Sequence, residues 1–391
     1  MKKFFKIFLL AINSKIVLEN PKNYNLVFYD GLLLKNFKNI LDQHEFFTLE
    51  NRFNRINKIY ITLPIIKFFI KYYNGNIATT YLVALLEVIK PKIVITYTDN
   101  DFKFSEIAKI LRNKIKFIAV QNAYRADILE HNYLYKKKIK KNFLKKFYIP
   151  TFLCHGNFDI NIYKKFKIKV DTFYKVGSLR FSNFFDYHYT RKKINNFYDI
   201  CLISDTTYER NEYLKINSFE EKIAQTTKYT IDFCKKRKLK FIFIFKNRKS
   251  EKIPHKQELN FYKKHLNTEQ FKYLLKNSSV NHLYSNYAYA IESKVTVGII
   301  STMLGEKLSI GGKILSCNMT NLDIYNFPIK GICSINNCTF IDFEKRLEKI
   351  LKMSKNQYFS SINKDKKYLI NYDPDLSCSL KIKKIINENL K

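Results

Sequence analysis

Tryptophan is missing from the 391 residues, and glycine and proline are scarce at nine and seven. No Pro/Ser-rich linker and no repeat of fixed period interrupts the chain, which excludes solenoid and bead-on-string organisations. The seven cysteines include no C-x-x-C pair, and Cys201 and Cys317 fall in or beside apolar runs. An odd count without a framework excludes a disulfide scaffold and points to a reducing cytoplasm. The seven histidines are scattered without H-E-x-x-H or similar spacing, so neither a structural nor a catalytic zinc is expected. Every apolar run is too short to cross a bilayer, so no spanning helix is expected. Acidic residues are also few: 34 against 70 Lys and Arg, a net charge of +36.

Hydrophobic residues are plentiful at 46%, which excludes disorder, and the length suits two cores because single cores rarely grow past ~250–300 residues. The positive charge favours anionic partners: nucleic acid, acidic lipid headgroups or nucleotides. Part of it is background, since abundant Lys, Asn, Ile, Phe and Tyr mark an A/T-rich genome. The opening MKKFFKIFLLAINSK imitates a signal peptide but has no small-x-small cleavage site. It reads as an amphipathic segment on an anionic membrane surface, which places the protein in the cytoplasm at the inner face of the membrane.

Short β-branched and aromatic runs alternate with helical patterns, the mark of parallel α/β sheets. Strands are expected at Leu26–Tyr29, Lys92–Thr98, Ile115–Val120, Thr151–Cys154 and Thr172–Val176, with helices at Ile77–Ile89 and Phe104–Arg112. Periodicity fades over 178–197, where a boundary is expected. A second series follows: strands at Asp199–Ser204, Lys240–Phe245, Val280–Leu283, Val295–Ile300 and Lys313–Cys317, and helices at Glu220–Lys236, Gln257–Leu266, Gln270–Lys276 and Phe343–Met353. The expected architecture is α/β: two Rossmann-like doubly wound domains facing a cleft, the first over 1–180 and the second over 197–370. Residues 371–391 carry a last helix, Cys378–Leu390, to pack on the first domain.

The densest signal is VTVGIISTMLGEKLSIGGKILSCN at 295–318, read as strand, turn, short helix, Gly311-Gly312 stop and strand. The turn puts Ser301 and Thr302 at a helix N-terminus suited to phosphate. Glu306, one helical turn on, would accept from sugar hydroxyls. A Ser/Thr turn followed by an acid resembles the donor-nucleotide site of two-domain glycosyltransferases. Ligands of open parallel sheets bind beyond the carboxyl ends of the strands, so the residues there are candidates. On the donor side these are Ser204, Arg210, Lys246 and Arg248, whose cations would offset phosphate charge. On the acceptor side Asp99, Asn100 and Asp101 follow one strand, with Asp99 a candidate general base and Asp101 equally a helix N-cap. Gln121, Asn122 and Arg125 follow the next and suit recognition of hydroxyls or a carboxylate, or a structural salt bridge. His155 is an alternative base or a structural histidine, and Arg180 would face the cleft.

Read together, LENRFNRIN (49–57), KPKIVITYTDND (90–101), FIAVQNAYR (117–125), VGSLR (176–180), FKNRKS (245–250), ELNFYKK (258–264), STMLGEKLSIGGKIL (301–315) and YDPD (372–375) resemble bacterial surface carbohydrate biosynthesis proteins. Ala123 stands where that family usually has Gly, Met303 where it has a larger aromatic or polar residue, and Ser309-Ile310-Gly311-Gly312 where it commonly has Ala-Arg-Gly. The resemblance implies a GT-B-like fold and transfer of a sugar from a nucleotide-activated donor to a glycan or lipid-linked acceptor. No metal or other cofactor is expected. The rivals are a nucleotide-sugar epimerase or a polyol-phosphate transferase of the same fold, and a basic nucleic-acid-binding protein. The last is disfavoured because the basic residues are dispersed and no aromatic-rich binding motif accompanies them.

Overall fold

The computed structural model describes residues 14–52, 55–125, 128, 147–188, 197–206, 218–247, 249–279 and 283–391. In the first domain the strands are β1 Lys15–Val17, β2 Leu26–Tyr29, β3 Phe46–Leu49, β4 Lys58–Tyr60, β5 Ile93–Thr96, β6 Lys116–Val120, β7 Tyr148–Cys154 and β8 Lys169–Lys175. The helices are α1 Lys38–Leu41, α2 Leu63–Tyr72, α3 Ile77–Ile89, α4 Phe102–Leu111, α5 Asn157–Lys165 and α6 Leu179–His188. The second domain holds β9 Tyr198–Ile203, β10 Phe241–Ile244, β11 Ser278–Ser279, β12 Ser293–Gly298, β13 Lys313–Asn318 and β14 Ser334–Asn336. Its helices are α7 Phe219–Arg237, α8 Lys252–His265, α9 Thr268–Lys276, α10 Leu283–Ile291, α11 Thr302–Ser309, α12 Phe340–Lys352 and α13 Lys355–Ser360, and α14 Cys378–Leu390 ends the chain.

Each domain is built on a six-stranded, all-parallel sheet, ordered β3-β2-β5-β6-β7-β8 and β11-β10-β9-β12-β13-β14. The inner strands are apolar without alternation, as in IVIT of β5 and FIFI of β10, because helices cover both faces. Local signals set the boundaries. Lys90 takes the left-handed conformation (φ 54°) after α3, and Pro91 prevents continuation. The Asp101 carboxylate caps α4 by accepting from the amides of Lys103 (2.7 Å) and Phe104 (3.3 Å).

The chain leaves the second domain after α13 and returns to the first. There α14 lays Ile382 and Ile386, both buried, against Phe28, Ile93, Ile95 and Leu179. Each such side chain contributes about 1.5–3 kcal/mol of burial. On the way, the Phe158 amide donates to Tyr368 O (3.0 Å) and the Asn371 amide to His155 O (2.8 Å). Gly156 permits this approach, since a Cβ there would stand 2.5 Å from Leu369 O.

Two expectations are corrected. The segment read as irregular at 178–197 carries α6, in which Phe181 and Phe184 pack on Tyr287 and Ile291 of α10. Its apolar stripe is short and its partners belong to the other domain, so local hydropathy conceals it. The strand expected at Val280–Leu283 does not extend to Leu283, which opens α10; β11 lies at Ser278–Ser279, and 280–282 fall outside the described residues. So do residues 1–13, where the membrane-surface segment was expected. No helix among the described residues is long and apolar enough to cross a membrane.

Candidate active site between the two domains

By chain position the strands of the second sheet run 3-2-1-4-5-6, so the direction of winding reverses between β9 and β12. A crevice opens at such a switch point, beyond the carboxyl ends of the two strands. The Ser301-Thr302 turn stands there. Ser301 caps α11, its hydroxyl accepting from the Met303 amide (3.3 Å). Gly311 ends the unit with φ 84°. The Thr302 hydroxyl accepts from the Tyr124 amide of the first domain (2.9 Å), so the helix N-terminus faces the opposite sheet directly.

Between them lies a cavity of about 10 Å³ bounded by Ser301 and Thr302 on one side, Tyr124, His155 and Asp159 on the other, and Leu369 and Ile370 of the returning segment. That space holds about one water. His155 follows β7 and is 1% exposed; its Nε2 has no hydrogen-bond partner among the described residues. Burial, reinforced by Arg125, lowers its pKa to about 3, so the imidazole is neutral at pH 7 with an open nitrogen on the cavity. Asp159 accepts from Gln121 Nε2 (2.7 Å), and burial lifts its pKa to about 7.

Asp99, the expected base, is fully buried and ion-paired with Arg125. Its Oδ2 accepts from Arg125 Nε (2.6 Å), and its Oδ1 from Arg125 Nη2 and from the Asn122 amide (3.2 Å). A carboxylate committed to a guanidinium through both oxygens is poorly placed to take a proton. His155, the other candidate, keeps its Nε2 open toward the cavity. Arg125 and Asn122 are likewise turned inward, with Asn122 Oδ1 accepting from Arg125 Nη2 (3.0 Å). Gln121 holds Asp159 and, through Oε1, the His155 amide (2.8 Å). The loops after β5, β6 and β7 thus form one polar scaffold behind His155. Asn100 is exposed and Asp101 is the N-cap described above.

Glu306 is 1% exposed and faces the first domain, where its Oε1 accepts from Ser178 Oγ (2.5 Å) and from Tyr287 OH (3.3 Å). Its Oε2 has no partner among the described residues. Arg180 is partly exposed, stacked over the Tyr97 ring at 6.0 Å. Desolvation raises Glu306 to about 7, an effect that Ser178, Tyr287 and Arg180 only partly offset. A carboxyl with a raised folded-state pKa binds its proton more tightly in the native state. Its contribution is then greatest below the unfolded value and declines as pH rises to about 7. Glu306→Gln removes this term. Its stability relative to wild type is expected to improve by about 3 kcal/mol between pH 4 and pH 8, taking about 1.36 kcal/mol per pKa unit. Urea unfolding at both pH values measures the gap, and a gap that does not change with pH would mean Glu306 titrates as an exposed acid.

Of the donor-side cations only Lys246 falls among the described residues, and its ammonium is not bonded to the turn. Lys246 follows β10, two strands from β12, and its ammonium donates to Thr206 O (3.1 Å). Ser204 is buried; its hydroxyl donates to Glu258 and contacts Tyr262 OH at 2.8 Å, which takes it away from the cleft. Arg210 and Arg248 lie outside the described residues. Glu258, to which no role was given, organises this side: it accepts from the amides of Lys246 (2.9 Å) and Asn247 (2.8 Å) and holds the loop after β10 in place. Its signal was the ELNFYKK stretch, where Glu258 and Tyr262 stand one helical turn apart. Lys307 was also missed. Its buried ammonium, lowered to about 7 by desolvation, donates to Ala290 O (2.7 Å), Ser293 O (2.6 Å) and Thr296 Oγ1 (2.9 Å), tying α11 to the end of α10.

No family model and no curated protein sequence matches the chain. Its structure is similar to that of MnaA from S. aureus in complex with UDP, with a TM-score of 0.51 at 11% identity over 95% of this chain and 97% of that one. The fold is GT-B. Further GT-B likenesses are weaker. The UDP-GlcNAc 2-epimerase of Methanocaldococcus jannaschii, solved with UDP-GlcNAc and UDP, gives a TM-score of 0.48 at 11% identity over 93% and 99% of the two chains. The wall teichoic acid polymerase TagF gives 0.47 at 7% identity over 95% and 90%. In GT-B terms the Ser301-Thr302 helix belongs to the C-terminal domain and His155 to the N-terminal one, facing each other across the cleft.

Proposed function

We propose that this protein is a glycosyltransferase that moves a sugar from a nucleoside-diphosphate donor to an acceptor in cell-surface glycan assembly. One observation carries the reading: the N-terminus of α11 and a neutral His155, whose Nε2 has no partner among the described residues, bound the same interdomain cavity. The first suits a diphosphate, and the second presents to an attacking hydroxyl an open ring nitrogen that regains basicity as the domains part and its desolvation is relieved. MnaA was solved with UDP at the same fold, which makes a uridine nucleotide the first to test. Glu306 is the proposed ribose contact, exchanging Ser178 for ligand hydroxyls. Lys246, with Arg248 and Arg210, would offset phosphate charge without a metal ion, and Asn100 and Arg180 are the acceptor-side candidates.

Ligand pockets occupy ~300–1,000 Å³, far above the space between the domains, so entry requires the domains to part. The bonds Ser178–Glu306 and Tyr124–Thr302 would break in that step. The test is a thermal-shift and calorimetric comparison of UDP, CDP, GDP, dTDP and CMP, followed by incubation with the matching sugar nucleotide with and without acceptor glycans. One nucleotide at 100 times its Kd is expected to add about 2.7 kcal/mol of stability. Absence of any nucleotide effect would end the donor reading. Turnover of the donor to an altered sugar with no acceptor present would replace transfer by epimerisation.

A further inference from the structure

Helix α2, LPIIKFFIKY, is apolar on both sides although only one side is covered. Ile65 is buried, and Phe68, Phe69 and Tyr72 lean on the core of the first domain. On the opposite side Leu63, Ile66 and Ile70 are 82%, 43% and 71% exposed. Their spacing of three and four residues puts them in one ridge. An ordinary surface helix turns charged or polar residues outward, and one that is apolar all round is buried against something. The ridge continues at both ends, with Ile61 before the helix and Tyr73 and Ile77 after it, all exposed. It also widens sideways: β1 pairs in parallel with β4, and the Ile61 amide donates to Val17 O (2.9 Å), so Leu18, 75% exposed, lies beside Ile61. Half of the sixteen large hydrophobic residues exposed among those described fall within 16–18 and 61–77. Contiguous exposure of this kind marks an interaction surface.

Charge selects the occupant. Lys67 and Lys71 flank the ridge, both exposed, and no acidic residue occurs between Lys58 and Ile77. Glu19, beyond β1, is the nearest acid in the adjoining strand segment, and Glu87 is bonded to Tyr72 and Lys114. An apolar ridge bordered by lysines matches the interface of an anionic bilayer, where the aliphatic side chains enter the acyl boundary and ammonium groups meet headgroups. Two other occupants meet like charge. Residues 1–13 bring Lys2, Lys3 and Lys6, and a second copy brings the same lysines in a chain of net charge +36. We infer that the α2 ridge, with the adjoining end of β1, docks this protein on an anionic lipid bilayer. The inference is independent of the donor site and places the contact on the first domain.

The absence of tryptophan makes the test clean, because Leu63→Trp introduces a single reporter at an exposed position. Full-length Leu63→Trp is titrated with phosphatidylcholine vesicles with and without phosphatidylglycerol. A blue shift of emission is expected only with the anionic vesicles, weakening with salt. Ile66→Ser/Ile70→Ser should reduce binding at least tenfold at unchanged melting temperature. Lys67→Glu/Lys71→Glu should reduce it by more than about fivefold per lysine, the loss of one headgroup attraction together with the repulsion that replaces it. Binding without a blue shift would place the contact elsewhere on the chain and overturn the inference, as would no binding. A spectrum already blue-shifted without vesicles would show the ridge covered by residues 1–13 or by a second copy.

Discussion

Asp99→Ala should lower the melting temperature by roughly 10 °C, the consequence of removing the carboxylate that balances the Arg125 charge in the interior. Removing one partner of a buried ion pair costs about 3–5 kcal/mol, and a domain of this size loses ~2–4 °C per kcal/mol. The pair has the features that make such a loss large: Asp99 is fully buried, Arg125 is 5% exposed, and the two are joined through two atoms of the guanidinium. Arg125→Ala should be comparably harmful, since the buried carboxylate then loses its guanidinium. The double variant Asp99→Leu/Arg125→Met should melt above either single one, because a buried pair replaced by apolar groups of similar volume is close to neutral. Thermal unfolding of the three proteins decides it. Single variants that melt with wild type would mean that the pair is solvated and that Asp99 is again available as a base.

His155→Ala is expected to reduce kcat by about 10²–10⁴ while nucleotide affinity stays within about twofold, the signature of a lost general base. The substitution isolates the side chain well. The backbone amide donates to Gln121 and the carbonyl accepts from Asn371, and both bonds survive in alanine; the ring's bond to the Gln121 backbone is the one that is lost. Nε2 bonds nothing among the described residues, so its removal should leave the scaffold of Asp99, Arg125, Gln121 and Asp159 intact. While the domains are closed, burial and Arg125 hold His155 near 3, so the imidazole there is neutral. Single-turnover rates and calorimetric affinities for wild type and His155→Ala provide the comparison. A near-normal rate would make His155 a packing residue and return the search for the base to the cleft.

The two outcomes reverse the order in which the sequence ranks these residues. Asp99 and His155 occupy equivalent places, each just past a buried strand, and strand-end position is all that sequence reveals. What separates them is Arg125, distant from Asp99 along the chain, whose guanidinium arrives only when β5 and β6 pair and the loop after β6 folds back. The same holds for Glu306. Its helical spacing from Thr302 is visible in the sequence, but Ser178 and Tyr287 reach it only when the domains meet.

Local chemistry by itself determined the frame of this protein: β-branched runs too apolar for anything but buried parallel strands, a capping Asp101, a stop at Pro91, and the strand–turn–helix around Ser301-Thr302. These depend on neighbours a few residues away, and they specify two doubly wound sheets whose carboxyl ends hold the candidates. Only the tertiary structure decided which polar groups are committed to partners and which are left open. It also decided that an aromatic stripe in α6 is an interdomain contact and that the outer ridge of α2 is uncovered. Pairing and burial are sums over side chains brought from distant positions, and a sequence read locally carries no term for them.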